Sequence, residues 1–330
     1  MKRGHATIFG LGIATSIGLF IVNAMGFIDT ITGSTLGCGK EWPLCDGALV
    51  PSVWDKATTI EYTHRLVAMT VILMLIVFST VAAMKYRRFP RVKGLIAVSV
   101  AAVLTEAGLG ASSVLFSNPP WVLAFHMGTA FTSFTACVLL TIVVGEIEKT
   151  KRYQRNKVAL PRFAPLAWFS MIYVFAAIYY GAYVTHSGYG AMFKGWPFPS
   201  ESTQAAGIGY WIDFGHRLVA FGLFVLVAAL LRKSYRLRWV RRDLFIGSLF
   251  AFIFTLLQIF SGAYLILSHL SMPAFLSHVT LVSLLFVSVA YLAFQTLPEM
   301  LHSIRGSFHK SRDRKVVQEK RKKHAKPSGS

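Results

Sequence analysis

Four histidines carry the first chemical signal in this sequence. His64, His126, His216 and His278 each stand near the start of a long apolar run. Residues 60–69, IEYTHRLVAM, return as IDFGHRLVAF at 212–221, an offset of 152. The same offset carries His126 onto His278 and Gly110-Ala111 onto Gly262-Ala263. Trp42-Pro43 returns as Trp196-Pro197 after a two-residue shift. Each half of the chain thus offers two imidazoles on separate segments. An axially ligated haem needs that arrangement, one nitrogen for each face of the iron. A lone histidine in an apolar helix is ordinarily a hydrogen-bonded packing residue. Four at repeat-related positions are better explained by a site, because ionisable groups in membrane helices are costly and tend to be functional. Zinc or copper would need a third and fourth ligand at that depth, and neither half supplies them.

Acids and bases sit beside these histidines. Glu61 and Asp213 each precede a histidine by three residues and so share its helix face. One reading is the ordinary preference of carboxylates for helix starts. The other is a carboxylate aimed at whatever His64 binds, accepting a proton or stabilising developing positive charge. Asp213 is one methylene shorter, so the halves can differ in chemistry. Arg65 and Arg217 follow the histidines directly; each either pairs with a haem propionate or snorkels to the headgroups. Glu106 lies deep in an apolar run opposite the neutral Gln258, as a buried protonated acid or part of a proton path. His186 and His269 do not map onto each other and read as interfacial or loop residues, with substrate or proton access as the alternative. His5, His302, His309 and His324 read as solvated. Cys38 and Cys45 share the segment GSTLGCGKEWPLCDG. Outside the cytoplasm such a pair can stay oxidised as a staple, or act as an exposed redox pair. Cys137 reads as a small packing residue.

Apolar segments must position these groups. Of the 330 residues 54% are hydrophobic and only 15% charged, too apolar a balance for one soluble core. Continuous apolar runs fall at about 7–28, 61–84, 94–115, 122–145, 165–185, 212–231, 244–267 and 274–296, each long enough for a helix to cross a core of about 30 Å. The first run is too long for a cleaved signal and is expected to remain as a helix. The net charge of +20 comes from 34 Lys+Arg against 14 Asp+Glu. Its placement decides its meaning. The 85–93 loop holds five basic residues, the 146–164 and 232–243 segments six each and the tail after 297 ten, whereas the loops at 29–60, 116–121, 186–211 and 268–273 hold only Lys40, Lys56 and Lys194. The charge is therefore a topology signal with both termini cytoplasmic, and not a nucleic-acid footprint. The fold expected is an all-α integral membrane protein. Its eight transmembrane helices form two tandem four-helix bundles, 1–150 and 151–300, related by pseudo-two-fold symmetry along the membrane normal. A basic, disordered cytoplasmic tail over 301–330 completes the expectation.

The GSTLGC and EWPLC loop, the ExxHR element at 61–65, its DxxHR echo at 213–217 and the partners His126 and His278 together make the chain resemble the haem A synthase family, over about residues 7–298. That resemblance implies an oxidoreductase acting on a CH group. The family oxidises the C8 methyl of haem O to a formyl group, through hydroxylated intermediates, giving haem A for terminal oxidases. It implies that His64 and His126 flank the substrate haem O in the N-terminal half, and that His216 and His278 are the axial ligands of a haem b in the C-terminal half. The catalytic carboxylate falls on Glu61 and the outer cysteine pair on Cys38 and Cys45. Implied partners are haem O, the enzyme that produces it, a quinone or protein electron acceptor, and the lipid bilayer. With compact loops and no evident mitochondrial presequence, a bacterial cell membrane is expected. The rivals are a quinol-linked dihaem electron-transfer protein and a haem transporter or chaperone. The first predicts two permanent haems and indifference to Glu61, the second one exchangeable haem and no oxidised product.

Overall fold

The computed structural model describes residues 3–149, 162–191, 193–201 and 203–297. The charged segment at 151–161 and the expected tail at 301–330, with His302, His309 and His324, lie outside the described residues. Among the described residues eight α-helices follow one another: α1 (Arg3–Ile31), α2 (Lys56–Tyr86), α3 (Pro90–Leu115), α4 (Pro120–Lys149), α5 (Ala164–His186), α6 (Thr203–Arg236), α7 (Arg242–Leu267) and α8 (Met272–Phe294). All eight are long and apolar enough to cross a membrane. No strand occurs among the described residues. The protein is an all-α, multi-pass membrane protein.

Local chemistry sets the helix starts. Asp55 caps α2, its side chain accepting a 2.7 Å hydrogen bond from the Thr58 backbone N–H. That bond holds the Asp55 carboxyl below the usual range, because it favours the charged form. The helix therefore begins at Lys56, one polar turn ahead of the apolar run. The span in α6 likewise begins at Gly207, where the backbone turns out of helical geometry (φ 57°). Prolines open α3 and α4 and fall in the first turn of α5 and α8, where a missing N–H costs nothing.

The α3–α4 and α7–α8 turns repeat the same backbone. Ser117 and Asn118 have φ of 58° and 59°, and His269 and Leu270 have 53° and 61°. Asn118 N–H donates to Ser113 O at 2.7 Å and Leu270 N–H to Leu265 O at 2.9 Å. Leu270 occupies a region that bulky residues seldom adopt, so the turn's shape is kept although its sequence is not. Each turn leads into a helix whose second turn carries a histidine, His126 or His278. His269 is thus a turn residue, and His5 falls in the first turn of α1.

Two buried clusters form the core. One joins α1–α4 around Leu75, Phe78, Leu140 and Val144, and it includes Ala290 and Phe294 of α8. The other joins α5–α8 around Val227, Leu230, Leu285 and Leu292, and it includes Phe27 of α1 and Phe131 of α4. The halves meet along α4, α5 and α8. There Phe27 packs on Phe131 and Phe275 with ring centroids 5.8 and 6.1 Å apart. Trp168 of α5 donates to the Thr296 hydroxyl just beyond α8. The buried hydroxyls of Thr141, Thr255 and Ser283 bond to carbonyls one turn earlier in their own helices, whereas those of Ser99 and Ser170 have no partner. Bonding of the first kind satisfies polar atoms in lipid-embedded helices. Cys137 is buried with its Sγ 3.5 Å from Ser16 Oγ, a small packing side chain as its sequence context suggests.

Candidate functional site

Each of the four histidines lies against a glycine of the preceding helix. A Cβ built on Gly26 of α1 would come within 3.3 Å of the His64 ring on α2, and one on Gly110 of α3 within 3.2 Å of His126 on α4. In the second half, a Cβ on Gly181 of α5 would meet the His216 ring at 2.9 Å and one on Gly262 of α7 the His278 ring at 3.4 Å. Four helix pairs therefore present four imidazoles in the same way. Glycine is what lets a backbone approach a ring this closely. The Nδ1 atoms of His64 and His216 are buried without a hydrogen-bond partner. His126 Nδ1 lies 3.1 Å from the Glu106 carbonyl, and His278 Nδ1 lies 2.9 Å from Ser261 Oγ. The Gln258 amide nitrogen lies 3.1 Å from His278 Nε2.

Between His216 and His278 the helices enclose a cavity of about 580 Å³. Arg217, Gln258, Gly181 and Phe275 line it from the second half, and Met127 and Phe131 of α4 close it from the first. The volume lies within the roughly 300–1,000 Å³ usual for cofactor pockets, and the lining is mostly apolar with a few convergent polar groups. Two imidazoles across a large apolar cavity fit a porphyrin iron by the chemistry of the donor set. Among the described residues, no three His, Cys, Asp and Glu side chains gather as a shell for a bare metal ion.

The acids and arginines form a matched pair of clamps. Glu61, only 3% exposed, accepts from the Cys38 backbone N–H at 2.7 Å and from Arg65 Nη2 at 2.5 Å. Arg65 Nη1 in turn donates to the Leu44 carbonyl at 2.9 Å. In the second half, Asp213 accepts from Arg217 Nε at 2.8 Å, and Arg217 Nη1 donates to Gly195 O at 2.8 Å and Pro197 O at 3.1 Å. Both arginines thus tie the acid to the backbone of the loop before its helix. This third role was not among the sequence expectations of propionate pairing or snorkelling. Arg217 also lines the cavity, so it can meet a propionate while it holds the loop. The difference between the halves is one of reach. Glu61 touches the loop's own N–H through Cys38, and the shorter Asp213, among the described residues, meets its loop through Arg217. Cys38 and Cys45 are joined in a disulfide, and Thr58 Oγ1 fastens the same loop by donating to Gly37 O at 2.7 Å.

Residues 10–290 match the COX15-CtaA family, described as cytochrome oxidase assembly protein. The chain belongs to this family. The match enters in α1 and leaves in α8, so it covers every helix that carries a histidine or its glycine. Among relatives, the proteins named Heme A synthase of Staphylococcus aureus strains JH9 and Newman are each 28% identical over 305 residues, covering 92% of this chain and 98% of theirs.

Against the family background, two groups of residues stand out that sequence reading missed or placed elsewhere. Asn23 and Asp29 flank Gly26 at intervals of three on α1 and are 8% and 6% exposed. Their spacing, polar–Gly–polar along one face of an apolar run, was the available signal. His186, expected at an interface or in a loop, closes α5 with its Nε2 2.8 Å from Met127 Sδ. Met127 follows His126 and also lines the cavity between His216 and His278, so His186 packs where the two halves meet. Glu106 is half-buried and meets the site through its main-chain carbonyl on His126. Its counterpart Gln258 reaches His278 with its side chain.

Proposed function

We propose that this protein is a haem A synthase, converting the C8 methyl of haem O to a formyl group. The observation that carries the reading is a duplicated bis-imidazole arrangement with unequal acids. Both halves hold two glycine-backed histidines, but only the first has a carboxylate long enough to reach the cysteine loop. His64 and His126 receive the substrate haem in the N-terminal bundle, 1–150. His216 and His278 hold a haem b in the C-terminal bundle, 151–300.

Conversion of a methyl to a formyl with oxygen from water releases four electrons and four protons. His216 and His278 would hold a haem b, which when bound would supply a one-electron outlet toward a quinone or protein acceptor. The protein's own groups do the rest. The imidazoles orient the porphyrin, because glycine seats allow each ring little other placement. The disulfide-bonded loop covers the outer end and limits water. Glu61, fixed by Cys38 N–H and Arg65, stands at the edge of the substrate and takes protons as the carbon is oxidised. Arg65 and Arg217 pair with propionates from positions their clamps hold. The basic loops support cytoplasmic termini and haem sites near the outer side of a bacterial cell membrane. The haem O-producing enzyme is the natural donor of substrate.

The test is expression in cells that make haem O, with extracted haems identified by mass. Haem A should appear only when the protein is present; haem O remaining unconverted beside well-expressed protein overturns the reading. The seats give a second expectation. Gly181→Ala places a methyl 2.9 Å from the His216 ring, and Gly262→Ala places one at an ordinary 3.4 Å from His278. Haem b retained by purified protein should fall well below the wild-type level in Gly181→Ala and stay near it in Gly262→Ala. Equal retention in both would mean that the seats do not govern ring placement.

A further inference from the structure

Both halves seat their first histidine on a glycine of the preceding helix, Gly26 and Gly181, which sets α1 and α5 in register at that position. One turn either side of Gly181 stand Ile178 and Val184, both buried and both lining the haem cavity. One turn either side of Gly26 stand Asn23 and Asp29. The face that is apolar toward the second site is therefore polar toward the first. Asn23 and Asp29 are more than nine-tenths buried, and the Asn23 amide nitrogen and Asp29 Oδ1 have no hydrogen-bond partner. Asp29 also lies within electrostatic range of Glu61 and Arg65, which places it by the N-terminal clamp. Unpaired polar atoms in a membrane interior are costly, and a ligand that pairs them recovers that cost.

We infer that Asn23 and Asp29 are specificity-determining groups that let the N-terminal site select a hydroxyl-bearing haem over haem b. The inference rests on the proposed reading that this half receives haem O. Haem O and haem b differ chiefly in that haem O carries a hydroxyethylfarnesyl chain where haem b has a vinyl group. A protein that keeps haem b in one bundle and processes haem O in the other must tell them apart with two near-identical scaffolds. Asn23 and Asp29 stand six residues apart on α1, about 9 Å along its axis with the His64 seat between them, so one of the two, the Asn23 amide or the Asp29 carboxylate, meets the substrate hydroxyl. Ile178 and Val184 offer neither, which suits a haem without one. A site whose buried polar groups are left unpaired by the wrong ligand rejects it, by about 10- to 100-fold for a hydrogen bond or two.

The experiment uses full-length protein in detergent, purified with its C-terminal haem in place and titrated separately with haem O and haem b. Binding at the N-terminal site is the absorbance change that His64→Ala abolishes. Wild type should bind haem O at least about tenfold more tightly than haem b. The double variant Asn23→Ile with Asp29→Val copies the second half. It should lose that preference, with weaker haem O binding, equal or tighter haem b binding and an unchanged C-terminal haem spectrum. The single variant Asn23→Ile provides an independent arm should the double variant fail to hold its C-terminal haem, and it should lose part of the preference. A preference retained in the variants overturns this inference and leaves the functional reading intact. No His64-dependent haem binding in wild type overturns both.

Discussion

Purified His216→Ala and His278→Ala proteins should each lose the low-spin haem signal of the C-terminal half. Both imidazoles face one cavity of about 580 Å³, and each is the sole histidine its helix brings to that cavity. Removal of either leaves five-coordinate iron at best. The neighbouring polar group, the Gln258 amide, is a poor substitute for an imidazole. The change should be nearly complete in absorbance and electron paramagnetic resonance, with the helices still folded, because the histidine rings are not part of either buried apolar cluster. Exogenous imidazole should restore part of the low-spin signal, since the deleted side chain leaves room of its own shape. Unchanged low-spin haem in both variants would remove the second half from the scheme.

Glu61→Gln should cut haem A formation by about 10²–10⁴ while haem b and haem O binding persist. Glutamine keeps an acceptor for the Cys38 N–H but turns an amide toward Arg65, and it can neither carry charge nor take a proton. Haem O or a hydroxylated intermediate should accumulate in the cells. The second half provides an internal control. Asp213→Asn disturbs the equivalent clamp on Arg217 in the half proposed to hold haem b, so on that reading it should reduce output only as far as it disturbs haem b. If Glu61 served the clamp alone, the two variants would have similar and modest effects on haem A output. That result would return attention to Glu106.

Hydropathy and repetition made the spans and the four histidines legible, because both depend on residue type at a fixed interval. The starts of α2 and α6 were not, since their first turns are polar and are held by a cap or a glycine bend. The glycine seats of α1 and α5 escaped notice for a related reason. Gly26 and Gly181 are separated by more than the 152-residue offset of the histidines, so a single shift does not align them. Arg65 and Arg217 bind main-chain carbonyls, which carry no residue identity for a sequence to display. The polar–Gly–polar spacing of Asn23, Gly26 and Asp29 stands in the sequence, but what it flanks became readable only when Gly26 was seen to seat the His64 ring.

The position of α8 bears on how the protein is made. Ala290 and Phe294 complete the core of the first bundle, and Phe275 meets Phe27 of α1 across the junction. During synthesis α1–α4 are made first, yet their shared core lacks Ala290 and Phe294 until α8 has been made. The core of the N-terminal half is thus completed by α8, the last of the described helices, so its final packing follows synthesis of the second half instead of proceeding one half at a time.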